Sequence, residues 1–189
     1  MLFVSHCLLN ANTRFLGGAA RPGAVTELVE QCLQRGLGIV QLPCPEQLVW
    51  GGVLKPRLLW LLERPPGVRR ALLPLALAYT RLRYRRLARA VAGQAADCTA
   101  AGVEVVALVG VDGSPSCGAA VTLDARAALL GDVQLDRQAD LVRRFARSGR
   151  GIFIDELVRA LERRGLHVPL VAHDLVAELE GRPAALRLP

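Results

Sequence analysis

The pattern that most restricts the fold is a series of short apolar runs, each stopping at a turn and separated from the next by a helix-length segment. Leu2-Phe3-Val4-Ser5, Gly38 to Leu42, Val103 to Val111 and Val168 to Ala172 read as strands. They are apolar nearly throughout rather than alternating, which suits strands covered on both faces. Pro22 suits the first turn of a helix in which Val25, Leu28, Val29, Cys32 and Leu33 recur at helical spacing and which Gly36 closes. Further helices are expected over about 70–101, with Pro74 as a kink point, around Asp136 to Ser148, and from Ile152 to Arg164 with Leu157, Val158 and Leu161 facing inward. Residues 8–20 read as a loop with Asn10, Asn12, Gly17 and Gly18 as turn residues, and 45–68 as an irregular insertion rich in Pro, Gly and Trp. Strand–helix alternation implies right-handed crossovers. The expectation is one α/β domain over 1–189, a Rossmann-like three-layer sandwich whose mostly parallel sheet has about four strands and helices on both faces.

Three of the five cysteines sit in the turns that end three of these runs. Cys7 lies in Ser5-His6-Cys7-Leu8-Leu9-Asn10, Cys44 in Pro43-Cys44-Pro45-Glu46, and Cys117 in Ser114-Pro115-Ser116-Cys117-Gly118. Parallel strands would bring all three thiols to the carboxyl edge of one sheet, where open α/β sheets bind ligands. Thiolates select zinc, copper(I) or iron–sulfur clusters. Structural zinc closes a shell of four, for which only His6 and His173 offer a further ligand, and strand alternation turns His6 away from Cys7. A three-thiolate [4Fe–4S] cluster with one open iron fits the count better. Cys32 lies on an apolar helical stripe and Cys98 near a helix end, so both read as structural.

Composition narrows the classes. Hydrophobic residues make up 52% and charged residues 22%, which excludes a disordered chain. No segment approaches the length of an uncharged membrane span. Met1 leads straight into an apolar run without a basic leader, so a reducing, cytoplasmic setting is expected, in which cysteines serve as ligands, catalytic thiols or core. The net charge is +7, nearly all of it arginine, with Lys55 the single lysine. Arg64, Arg69, Arg70, Arg81, Arg83, Arg85, Arg86 and Arg89 form a stripe that suits RNA or is a solvated helix face. Gly-x-Gly-x-x-Gly after the first strand and the phosphate-loop motif are both absent from the sequence.

The three turns resemble those of the thiouracil desulfidase family. Cys7-Leu8-Leu9-Asn10 is followed by Arg14-Phe15, Cys44-Pro45-Glu46 by Gly51-Gly52 and Pro56-Arg57, and the series ends at Ser114-Pro115-Ser116-Cys117-Gly118. Order and rough spacing agree over residues 1–118. The resemblance implies a [4Fe–4S] cluster held by Cys7, Cys44 and Cys117 whose open iron takes the sulfur of a thiocarbonyl. Asn10 stands where the family often has glycine, Thr13 where it often has a further cysteine, and Asp112 falls in a turn where the desulfidases tend to carry basic residues. These departures point to a related subgroup with its own substrate.

Hydrolytic desulfurisation needs a carboxylate to accept and return a proton, and Glu46, two residues from a ligand, is the candidate. Otherwise it serves as a helix N-terminal carboxylate or a partner of Arg57. Ser114 and Ser116 are candidates for hydrogen bonds to substrate or cluster, or are simply turn formers. Asn10, Asn12 and Arg14 are candidates for the pocket's mouth, the asparagines otherwise being turn formers. Arg14 or Arg57 would bind a phosphate if the substrate is a nucleotide, and otherwise both are surface residues. Asp112 replaces a basic substrate contact or shapes the Asp-Gly turn, and His173 and Asp174 reach the same sheet edge or serve solubility there. A small thiolated substrate is the expected partner. The alternatives are an iron–sulfur enzyme acting on tRNA through the arginine stripe, or a non-enzymatic zinc or metal-binding protein.

Overall fold

The computed structural model describes residues 1–14, 18–131, 137–184, 186 and 188–189; Phe15, Gly17 and Asp136 lie outside them. β1 (Leu2–Val4) leads into α1 (His6–Leu9), a 3₁₀ turn at Ala11–Thr13, and α2 (Thr26–Gln34). β2 (Ile39–Gln41) is followed by α3 (Pro45–Trp50), α4 (Pro56–Leu62) and the long α5 (Pro66–Ala100). β3 (Ala107–Asp112) precedes β4 (Val121–Leu123), α6 (Ala125–Leu130), α7 (Gln138–Phe145) and β5 (Ala146–Ser148). The chain closes with α8 (Ile152–Glu162), β6 (Leu170–Asp174) and α9 (Leu175–Leu179).

Four strands form one parallel sheet in the order β2-β1-β3-β6. Phe3 stands between Val40 and Leu108, and Val109 pairs with Val171. The chain leaves β1 toward one edge to make β2 and returns on the other side to make β3. The β1/β3 boundary is therefore a topological switch point, with a crevice at the carboxyl ends of the strands.

Strand alternation divides the core in two. Phe3 and Leu108 face α5 and α8, packing with Tyr84, Ala88, Ala92, Phe153, Leu157 and Leu161. Leu2, Val4 and Val109 face the other way, onto Leu28 and Cys32 of α2 and Leu175 of α9. The sandwich thus has helices on both faces, as the strand–helix alternation predicts. Alanines at 88, 92 and 95 let α5 approach α8 closely, and Tyr84 meets Phe153 edge-on with ring centres 6.2 Å apart.

Several local expectations are corrected. The segment 45–68 is not irregular: Pro45, Pro56 and Pro66 each open a helix, because proline's fixed φ and missing N–H suit the first turn. Part of the expected 8–20 loop is α1 and the 3₁₀ turn. α2 begins at Thr26 rather than Pro22, and Leu33 is exposed on it. β3 begins only at Ala107, since Val103 is exposed and its N–H closes the end of α5 on the Cys98 carbonyl. α7 stops at Phe145, and Ala146–Ser148 pairs antiparallel with β4. Those three residues are all exposed and carry no apolar signal. Among the described residues no helix is long and apolar enough to cross a membrane.

Candidate functional site

The sheet order decides where the cysteines go. Cys7 follows β1 in the first turn of α1, Cys44 follows β2 as the residue capping α3, and Cys117 lies in the turn after β3. These strands are neighbours in the sheet. All three thiols are free and line one cavity of about 200 Å³, together with Arg14, Glu46, Lys55, Ser114 and Ser116. Cys32 is fully buried in the core behind the sheet, as expected, and Cys98 does not line the cavity.

Burial pushes each of these thiols above its ordinary pKa. Cys44 rises to about 11, and the nearby Glu46 and Cys7 add to the effect. Cys117 is raised further by burial and then by Cys7, Cys44 and Glu46. Burial also raises Cys7, but there the charge and hydrogen bonding of Arg14 oppose it. Thiols that disfavour one another's ionisation inside one cavity are what a bound cation or cluster deprotonates. Among the described residues no three His, Cys, Asp or Glu side chains form a group that could hold a metal ion. In a [4Fe–4S] cluster each cysteine binds a different iron, so the thiols need not meet at a single point. The donor set fits that group in chemistry and number.

The Cys117 turn is built as a rigid cradle. Ser114 Oγ accepts the N–H groups of Ser116 at 3.3 Å and Cys117 at 3.0 Å. Asp112 Oδ1 accepts the N–H groups of Ala119, Ala120 and Val121 at 2.9–3.1 Å. The Asp112 carboxylate therefore clasps the loop, and Asp112 is not among the residues that line the cavity. The first N–H groups of α8, from Ile152, Phe153 and Ile154, donate to the carbonyls of Pro115 and Ser116. That approach requires glycine at 151, where a Cβ would stand 2.4 Å from the Ser116 carbonyl carbon.

Glu46 sits in the first turn of α3 and is the hub of a relay. Its Oε2 is 2.6 Å from Lys55 Nζ, and its Oε1 accepts Ser116 Oγ at 2.9 Å. Because the Ser116 hydroxyl donates its hydrogen bond to the carboxylate, the Tyr84 hydroxyl, 3.0 Å away, donates to Ser116 Oγ. Burial raises the Glu46 pKa, yet the charge and hydrogen bond of Lys55 and the bond from Ser116 outweigh it, so the carboxyl is held below its ordinary value and ionised at neutral pH. Lys55 is buried and adopts the left-handed region at φ 47°, uncommon for a residue with a side chain. Its partner Glu46 is the carboxylate expected from sequence, but the Lys55–Glu46 pair replaces the Arg57–Glu46 pair; Arg57 donates instead to the Val49 carbonyl at 2.9 Å. The sequence motifs mark neither Lys55 nor Tyr84 as a site residue. Lys55 carried one signal, as the single lysine of an arginine-rich chain. Tyr84 carried only its place on a helix.

The remaining candidates separate. Arg14 lines the cavity, whereas Asn10 does not and Asn12 is exposed. His173 is buried 2.6 Å from Glu178, and Asp174 caps α9 by accepting the Ala177 N–H; neither lines the cavity. In the arginine stripe, Arg81 and Arg85 hold the two oxygens of Glu156, while Arg83, Arg86 and Arg89 are exposed.

A 48-residue stretch, 25% of this chain, is 46% identical to an uncharacterized protein of Methanocaldococcus jannaschii, and it spans 31% of that protein's length. No protein-family model matches the chain. No solved structure matches it.

Proposed function

We propose that this protein is an iron–sulfur-dependent desulfidase that removes sulfur from a thiocarbonyl substrate, a thiolated nucleobase or related small thioamide, by non-redox hydrolysis. Overall, water replaces sulfur on the carbon and sulfide leaves, with no change in oxidation state. The observation that carries the reading is the meeting of Cys7, Cys44 and Cys117 with an ionised, hydrogen-bonded carboxylate in one cavity. The three cysteines would hold a [4Fe–4S] cluster, which when bound supplies a Lewis-acidic iron for a soft sulfur atom.

The protein's own groups supply the proton chemistry. Glu46, kept ionised by Lys55, accepts a proton from the attacking water and returns it to the departing group. Ser116 and Tyr84 hold the carboxylate in register, so Ser116 is a positioning residue rather than a group that meets the substrate. Ser114 uses its oxygen to accept two backbone N–H groups, which leaves its O–H as a donor toward a developing oxygen or sulfur. Leu58, Leu77 and Ile152 on the cavity wall keep bulk water from the reacting atoms.

The test begins with anaerobic purification and reconstitution, followed by iron and acid-labile sulfide analysis of wild type and Cys117→Ser. About four of each per wild-type chain, with depletion in the variant, is the expected result. Sulfide release from thiolated bases by the loaded protein then measures the activity. Absence of both elements from reconstituted wild type would sink the reading.

A further inference from the structure

Behind the Cys7 corner lies a buried charge network. Arg14 follows the 3₁₀ turn, and its side chain is only 5% exposed. Its Nη1 stands 2.9 Å from Glu178 Oε2 and 3.3 Å from the Gly18 carbonyl. Glu178 is 1% exposed, and the same oxygen lies 2.6 Å from His173 Nε2; Arg21 Nε lies 3.1 Å from the other oxygen. Glu178 is on α9, whose first turn is capped by Asp174 at the end of β6. One end of the guanidinium is thereby anchored to the sheet.

At the other edge of the guanidinium, Arg14 Nε and Nη2 are buried, and among the described residues no acceptor stands within close hydrogen-bond distance of them. Buried charged donors without an acceptor are costly and uncommon. Nε and Nη2 lie side by side in the planar fork with which arginine grips anions. Arg14 and Cys7 both line the cavity and lie close enough to interact. Three thiolates around a [4Fe–4S] core leave an excess of negative charge, and hydrogen bonds to cluster sulfurs set its potential.

We propose that Arg14 is the positioning residue of this corner: its Nε and Nη2 edge donates to the sulfur that Cys7 presents to the cluster and offsets the negative charge there, while Glu178 and His173 hold it in place. The inference rests on the cluster reading above. The catalytic groups lie elsewhere in the cavity, so the role is to seat the cluster and tune its charge.

The test uses reconstituted full-length wild type, Arg14→Gln, Arg14→Lys and Glu178→Gln, with Arg83→Gln as a surface control. Two readouts are taken, the rate at which a chelator strips iron and the midpoint potential of the cluster. Arg14→Gln should lose iron at least about tenfold faster, the lower range for losing a group that supports a metal ligand. Its potential should shift to more negative values, because the reduced, more anionic state loses a cation. Arg14→Lys and Glu178→Gln should fall between it and wild type, and Arg83→Gln should match wild type. If Arg14→Gln does not fold, as circular dichroism will show, these two milder variants decide the matter. A loaded wild type with variants unchanged in both readouts overturns the inference and leaves the cluster reading standing. Unchanged readouts with a raised KM would move Arg14 to substrate binding and overturn it as well. A wild type that takes up no cluster removes both.

Discussion

Glu46 and Glu156 are two carboxylates held against cations inside one fold, and they differ in what surrounds them. Glu156 joins α8 to α5: Arg81 Nε is 2.6 Å from one oxygen and Arg85 Nε 3.1 Å from the other. Its side chain is 3% exposed, and it lines no part of the cavity. Among the described residues Glu46 meets the Lys55 ammonium and the Ser116 hydroxyl, and its side chain is 21% exposed and lines the cavity that the thiols share. Burial raises the pKa of both carboxyls, and the partners of both reverse it. A depressed pKa therefore does not separate a structural carboxylate from a chemical one. Access does: Glu46 opens onto the thiol cavity, whereas both oxygens of Glu156 are held by arginines that remain charged at any pH in use.

The sharpest way to break this comparison is a pair of substitutions. Glu46→Gln should lower the rate of sulfide release by about 10²–10⁴-fold, the usual worth of a positioned acid–base group, with iron content unchanged. Glu156→Gln should leave the rate near wild type and instead lower the urea midpoint. Equal losses of rate in both variants would show that the two carboxylates are not functionally distinct.

A third buried carboxylate, Glu178, extends the comparison to pH. Burial raises its pKa, but the His173 hydrogen bond and the Arg14 charge win, holding it at about 2 against an ordinary 4.5. A depressed carboxyl stabilises the fold fully above its unfolded value and loses that contribution as the pH falls from about 4.5 toward about 2. The contribution is on the order of 3 kcal/mol, at about 1.4 kcal/mol per unit. Urea unfolding of wild type at pH 6 and pH 2.5 should register most of that loss, and Glu178→Gln should lack it. Parallel acid sensitivity in the two proteins would detach stability from this pair.

The smallest expected effect concerns the cradle rather than the charges. Gly151→Ala keeps an ordinary φ of −65° but places a methyl against the Ser116 carbonyl. It should cost about 1–3 kcal/mol by overpacking, read by thermal unfolding, and weaken cluster retention by displacing the Cys117 turn. Unchanged stability and iron content would show that α8 does not brace the site.

The readability of the site followed the range of the interactions that build it. Cys7, Cys44 and Cys117 each stand directly after a strand, so a strand count was enough to place them on one edge. The Ser114 turn and Glu46 lie within a few residues of those thiols. Lys55 meets Glu46 only because the segment read as irregular folds into α3 and α4, which return the chain to the cavity. Tyr84 arrives from the middle of a 35-residue helix, and nothing local distinguishes it from its neighbours on α5. Asp112 lay in a site motif, yet its oxygen is spent on three backbone N–H groups, a pattern that only the folded loop reveals.

The amino-acid sequence by itself determined the strand–helix alternation, the parallel sheet and the three thiol-bearing turns at its carboxyl edge. Those features rest on hydrophobic runs and on proline and glycine, whose effects act over a few residues. Tertiary structure alone decided the strand order that places β1 between β2 and β3. It also decided the pairing of Glu46 with Lys55 and Ser116, and the buried anchoring of Arg14 by Glu178. Those are contacts between segments distant along the chain, set by how the helices pack on the sheet, and no local pattern encodes which charged partner comes to rest beside which.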